Sequence, residues 1–221
     1  LVAAEAHGAV LRTGERVVRW NATPDGVAVR TDRSSYVGGA LVIAAGPWVR
    51  ELAPAVVVEV ERQVMLWFAP RYAPASLSAQ YCPVFLFETP AGTFYGVPDL
   101  GGGVKAARHH GGEITTVEAM GNDLREEDVQ PVTDFLDRHV PAAPGQIRRG
   151  AVCRYTNTAG QAFVIDRLPD EERVWVVSAC SGHGFKFASG IGEAVGQLVL
   201  EGKRRETLEP FRWPDQGPPT A

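Results

Sequence analysis

The stretch Cys153–Phe187, CRYTNTAGQAFVIDRLPDEERVWVVSACSGHGFKF, decides how the rest of the chain is read. It opens on a cysteine beside an aromatic residue and two threonines. Two apolar runs follow, Ala162–Ile165 and Val174–Ala179, and the charged turn Asp166–Arg173 joins them as a hairpin would. The stretch closes on Ser181-Gly182-His183-Gly184-Phe185-Lys186, where small residues lead straight into a helical pattern. A strand that empties into a glycine turn and then a helix brings backbone N–H groups against an electron-rich ligand. Lys186 adds a fixed positive charge at the same place. This pattern reads as a cofactor site more than as packing.

Working outward, Ser189–Glu201 carries Ile191, Val195, Leu198 and Val199 at helical spacing, with Gly202 placed to stop the helix. Upstream, Ala9–Leu11, Arg16–Trp20 and Val27–Thr31 read as short strands, the last two joined by the turn Pro24-Asp25-Gly26. Ala40–Ala45 is apolar without alternation, the mark of a strand buried on both faces as in parallel sheets. It ends at Gly46-Pro47-Trp48 and a short helical stretch to Leu52. From Ala55 the strands lengthen and gain aromatic residues: Val56–Val60, Gln63–Phe68, Val84–Glu88 and Thr93–Val97, with Pro-rich loops at Ala69–Pro74 and Thr89–Gly92. Thr115–Met120 reads as a loop, Asp128–Val140 as an amphipathic helix, and Glu209–Ala221 as a loose tail. Leu1–Ala6 looks like a helix end cut from the middle of a protein, so the chain is expected to be incomplete at its N-terminus.

Composition narrows the function classes. Of 221 residues, 45% are hydrophobic, enough for a proper core, and 24 glycines with 16 prolines suit short strands and tight turns better than a helical bundle. A net charge of −4 without a Lys/Arg block argues against nucleic acid or an anionic membrane as partner. No apolar run approaches the roughly 20 residues of a membrane span, and nothing resembles a secretory leader. Cys82, Cys153 and Cys180 are too few and too irregular for a disulfide framework or a metal site, so a reducing, cytoplasmic setting fits.

Several residues admit two readings. Cys153 is either an inert packing residue or a nucleophile that a nearby cation such as Arg154 would help to ionise. Cys180 ends an apolar strand and reads as packing. Lys186, flanked by Phe185 and Phe187, reads as part-buried. His183, between two glycines, either bonds backbone groups of its turn or acts directly. In Phe94-Tyr95-Gly96-Val97-Pro98-Asp99-Leu100-Gly101-Gly102-Gly103-Val104-Lys105-Ala106-Ala107-Arg108-His109, the triple glycine would let backbone approach a ligand, although it matches no phosphate-binding fingerprint. Lys105 and His109 could equally be plain surface residues. Arg62-Gln63-Val64 is assigned to structure.

Three separated motifs, Cys153-Arg154-Tyr155-Thr156, Phe163-Val164-Ile165-Asp166 and Ser181–Phe187, resemble in order the C-terminal motifs of the monomeric sarcosine oxidase and N-methyltryptophan oxidase family. Tyr95-Gly96, Lys105 and His109 are similar to a further family block. The resemblance implies a mixed α/β and α+β flavoprotein of two domains. Residues 1–54 and 149–208 would belong to the FAD-binding lobe, 55–148 to an antiparallel-sheet substrate domain, and 209–221 to a tail. The family's N-terminal Gly-x-Gly-x-x-Gly segment is absent here, so an N-terminal FAD lobe would be required. The resemblance further implies FAD held by a thioether to Cys153, with Gly46, Gly182, His183, Gly184, Phe185 and Lys186 around the cofactor. Lys186 would also pair with the substrate carboxylate, Tyr95 and His109 would line the substrate, and Lys105 would stabilise superoxide forming from oxygen. The implied activity is oxidation of the C–N bond of a secondary or N-methyl amino acid, giving an imine and hydrogen peroxide, in an enzyme that is monomeric at full length. An amine dehydrogenase using another acceptor and an inactive binding module of the same fold are the competing classes.

Overall fold

The computed structural model describes residues 1–213. The chain forms two compact units, one of Leu1–Val56, Phe163–Ala179 and the chain from Lys186 onward, the other of Val57–Ala162 and Cys180–Phe185.

In the first unit, helix α1 (Val2–Ala6) precedes a meander of β1 (Val17–Thr23), β2 (Gly26–Thr31) and β3 (Ser35–Gly38), antiparallel throughout. Next come β4 (Leu41–Ile43) and the short helix α2 (Val49–Leu52). The predicted strand at Ala9–Leu11 does not form; those residues are irregular, exposed backbone. The predicted burial of Ala40–Ala45 on both faces also fails, because β4 is a sheet edge three residues long in which only Ile43 is buried.

The second unit begins with β5 (Glu59–Phe68), which continues two predicted runs as one strand. It proceeds through β6 (Phe85–Thr89), β7 (Gly92–Val97), β8 (Val104–His109), β9 (Ile114–Thr115), α3 (Glu126–His139) and β10 (Ile147–Asn157). The sheet order is β10-β5-β8-β7-β6, all antiparallel, with β9 also paired to β5. Alternation along these strands gives the sheet two different faces. On one, Val64, Leu66 and Phe68 of β5, Val104 and Ala106 of β8 and Phe94 of β7 pack against Val132, Phe135 and Leu136 of α3. Phe94 and Phe135 stack face to face, 4.5 Å between ring centroids. Arg62, buried on the same side, is held by the Asp128 carboxylate of α3 and donates to the Asp123 carbonyl at 2.8 Å. This matches its expected structural role.

The chain then returns to the first unit through β11 (Val164–Arg167) and β12 (Val174–Ser178), the expected hairpin. β12 pairs parallel to β4 on its other side. Helix α4 (Ala188–Glu201) follows and ends at Gly202 in the left-handed conformation, φ 68°. Phe163, Ile165, Trp175, Ala194, Val195, Leu198 and Leu208 form this unit's core. Leu208 belongs to a 3₁₀ turn, Glu206–Phe211, so residues 209–211 are not the loose tail expected there. Residues 214–221 of that expectation lie outside the described residues. Backbone pairing also moves the predicted boundary at 148/149. β10, with Cys153, is laddered along β5 over ten residue pairs and belongs to the second unit, which extends to Ala162.

Candidate active site

The second sheet face of Val57–Ala162 gathers the chemistry. Cross-strand partners share a face, and the register sets Lys105 opposite both Trp67 and Val97, Ala107 opposite Met65 and Tyr95, and His109 opposite Thr93. On the far side of β5, Cys153 stands opposite Gln63 and Tyr155 opposite Glu61. Tyr95, Lys105, His109, Cys153 and Tyr155, from three strands, therefore occupy one face, floored in the middle by Met65, Ala107 and Ala151. Four of these five were candidates from sequence; Tyr155 was quoted only as a neighbour of Cys153.

Their contacts form a connected set. Tyr155 Oη and His109 Nδ1 are 3.1 Å apart. The Tyr95 and Tyr155 hydroxyls also interact; burial pushes both phenols above their usual range, and the neighbouring Cys153 adds to this. Both phenols therefore stay protonated near neutrality. Lys105 Nζ lies 5.6 Å from the Tyr95 ring centre and 5.9 Å from that of Trp67, close enough for cation–π attraction. Among the described residues no carboxylate pairs with Lys105, so its charge is available to a ligand.

Arg154 does not join this face. As the strand neighbour of Cys153 it points the other way, opposite Arg62, and donates to Asn122 Oδ1 at 3.1 Å. The cation expected beside the thiol is thus turned away by the pleat.

The turn after β12 folds onto the same face. Gly182 has φ +74°, and a Cβ there would fall 2.6 Å from the Tyr155 ring and 3.1 Å from His109 Cε1. Only glycine allows this backbone to lie on the tyrosine and the histidine. Ser181 N–H donates to the Thr156 carbonyl at 2.9 Å, and the His183 and Gly184 N–H groups both donate to the Cys180 carbonyl. The His183 and Gly184 amides are spent within the turn and the Ser181 amide on β10, so these three do not face a ligand as the glycine-turn pattern led us to expect. His183 Nε2 sits 3.2 Å from the Gln161 carbonyl, in keeping with its backbone-bonding reading. Burial raises the Cys180 thiol, while a hydrogen bond from Thr156 lowers it more weakly, a setting that suits packing.

Gly46 and Lys186 belong to the first unit. Gly46 takes φ +52° three residues past the end of β4 and opens a 3₁₀ turn, Gly46–Trp48. Lys186 is exposed, not part-buried as expected, with its ammonium 5.2 Å from the Phe187 ring. The 3₁₀ turn Phe185–Phe187 directs Phe185 outward as well, 94% exposed, and Phe187 alone leans on the unit's core, against Phe163.

A second cluster, which no motif marks, lies at the end of the sheet. Glu61, 3% exposed, accepts hydrogen bonds from His110 Nδ1 at 3.0 Å, Gly112 N–H at 2.8 Å, Asn157 Nδ2 at 2.6 Å and Gln63 Nε2 at 2.7 Å. Burial alone would raise this carboxyl, but the four donors outweigh it and hold it below the usual carboxylate range. Glu61, His110 and Asn157 line a cavity of about 730 Å³ together with Val57, Val58 and Ile114.

The donor set is compatible with a flavin: the free, half-buried Cys153 thiol shares its face with the Lys105 ammonium, which no carboxylate among the described residues pairs. No helix among the described residues is long and apolar enough to cross a membrane.

Comparison with known proteins agrees. Residues 1–198 match the family of FAD dependent oxidoreductases. Monomeric sarcosine oxidase of Bacillus sp. (strain B-0618) is 34% identical over 215 residues, 94% of this chain and 55% of that protein. N-methyl-L-tryptophan oxidase of Yersinia pestis (strain Pestoides F) is 38% identical over 181 residues, 80% and 47% of the two chains. The chain thus spans about half the length of the curated relatives it matches. Among solved structures, NikD, an amino acid oxidase of nikkomycin biosynthesis, superposes with a TM-score of 0.78 at 21% identity, covering 96% of this chain and 57% of its own. L-proline dehydrogenase from P. horikoshii gives 0.79 at 19%, with 95% and 56% covered; at such identities both speak for the fold alone. With its family model matched over most of its length and its mixed α/β fold shared, this chain belongs to the FAD dependent oxidoreductases.

Proposed function

We propose that this chain supplies the substrate-side half of an enzyme that oxidises the C–N bond of a secondary or N-methyl amino acid to an imine and reduces oxygen to hydrogen peroxide. The observation that carries the reading is the single sheet face holding Tyr95, Lys105, His109, Cys153 and Tyr155 under the Gly182 turn. FAD, when bound, would take up the hydride equivalent from the carbon next to nitrogen and hand the electrons to oxygen.

The chain's own residues do the rest. Cys153 is the anchor: its thiol is free, unlike a disulfide sulfur, and half-open on the right face. Tyr95 and His109 orient the amino acid, the protonated phenol as donor and the imidazole through the hydrogen bond that Tyr155 fixes. Lys186 is assigned to the substrate carboxylate by the resemblance to the oxidase family, and its exposure leaves the ammonium open to a ligand. By the resemblance, Gly182, His183, Gly184 and Phe185 are assigned to the cofactor through shape, and Gly46 is assigned to it separately within its own unit. Lys105 offers an uncompensated positive charge to the superoxide anion that forms as oxygen is reduced. No protein base is required if the free amine reacts. The same reading gives an enzyme monomeric at full length, working with small molecules and oxygen in the cytoplasm.

The test uses the holoenzyme containing this chain. Sarcosine or N-methyl-L-tryptophan, added without air, should bleach the flavin, and oxygen should restore it with one hydrogen peroxide per amine. Bleaching that only an artificial acceptor reverses would make it a dehydrogenase; bound FAD that no amine reduces would overturn the reading.

A further inference from the structure

Glu61 sits on β5, between β8 and β10, two of the three strands that carry the candidate chemistry. Its carboxylate ties the end of β8, through His110 and Gly112, to the end of β10, through Asn157. His110 is held at φ +62°, a left-handed conformation uncommon outside glycine, although histidine is among the residues that adopt it more readily. Such backbone costs of order 1–3 kcal/mol and persists only where its surroundings over-determine it. Here the bond from Nδ1 to Glu61 does so. The ring so placed touches the candidate pair twice: its centroid is 4.3 Å from that of His109 and 5.2 Å from that of Tyr155. On the Gly182 side, the bare backbone closes on the same two residues.

We propose that Glu61 and His110 are positioning residues for the amine-oxidation site: the carboxylate fixes the Nδ1–H tautomer and the ring of His110, and that ring holds His109 and Tyr155 in register. This rests on the reading under Proposed function. A purely architectural Glu61 would need only to bond Gly112 and Asn157. The histidine adds a tautomer choice, because a carboxylate accepts only from a protonated nitrogen. His110 Nε2 is buried without a partner, so the Glu61 bond is the contact that sets its proton. The titratable groups facing the pair are His109, Tyr155 and Glu59, which lines the same cavity, with Tyr95 beyond the phenol; Arg62 is turned to the opposite face with Asp128.

The experiment compares wild type, Glu61→Gln and His110→Asn as holoenzymes labelled with ¹⁵N-histidine. Asparagine tolerates the left-handed backbone but lacks the ring. Wild type should show His110 as one Nδ1–H tautomer across neutral pH. Glu61→Gln should mix its tautomers and shift the His109 signals; His110→Asn should shift the same His109 signals. With sarcosine, both variants should slow flavin reduction about 10- to 100-fold at saturation and alter its pH profile. A simple loss of packing would lower melting temperature without changing that profile. An unmixed His110 tautomer in Glu61→Gln, or unmoved His109 signals with a wild-type pH profile in His110→Asn, overturns the proposal. If Glu61→Gln does not fold, His110→Asn decides alone. If no amine reduces the wild-type flavin, the proposed function fails while the tautomer measurement still judges the pair.

Discussion

The two faces of one sheet solve different problems with the same strands. Toward α3, Val64, Leu66, Phe68, Val104 and Phe94 give a dry, close-packed surface whose worth is burial. Toward the other side, the intervening residues Glu61, Trp67, Lys105, His109, Cys153 and Tyr155 are polar, aromatic or reactive, and most are only half-buried. Since alternate residues of one strand feed both faces, a register slip of one residue would exchange core and site. The packing with α3 is therefore what holds the candidate site in place.

That contrast is breakable from either side. The largest effect should come from the core face: Phe135→Ala, which removes the ring stacked on Phe94, should cost about 3–5 kcal/mol of stability by denaturant unfolding. A loss below 1 kcal/mol would mean that the helix does not anchor the sheet. On the other face, Lys105→Met should leave folding intact and slow reoxidation by oxygen about 100- to 1000-fold, with flavin reduction by substrate much less affected. Equal slowing of both half-reactions would remove the assigned role. Gly182→Ala should cost about 1–3 kcal/mol from its left-handed backbone alone, and should also disturb the His109–Tyr155 contact, read as a changed substrate response. The smallest effect is electrostatic. Glu61 has its carboxyl held below the usual carboxylate range in the folded chain, so its contribution is whole above that range and fades as pH falls through its lowered folded pKa. Thermal melts should lose stability on acidification in that window, less steeply in Glu61→Gln.

The core face was legible because it is periodic. Val64-Leu66-Phe68 alternates with period two, and Val129, Val132 and Leu136 recur at helical spacing, so strand and helix could be placed from sequence. Where local pattern and sheet position disagree, position won. Ala40–Ala45 is apolar enough for a central strand, yet it forms an edge. Arg154 adjoins Cys153 in the chain and is sent to the opposite face by the pleat. The site was legible only where a motif marks it, as with Cys153, Lys105, His109 and the Gly182 turn. Glu61 meets His110 across 49 residues and Asn157 across 96, and no short pattern records such a meeting. The doubled histidine at 109–110 was its one visible trace.

The claim that this face is the flavin face is tested most directly by intact mass under denaturing conditions. Holoenzyme containing this chain should be heavier than its polypeptide by one FAD, and Cys153→Ala should return it to the bare mass with acid-extractable flavin. A wild-type protein at bare mass, or an FAD adduct that survives Cys153→Ala, would contradict the account.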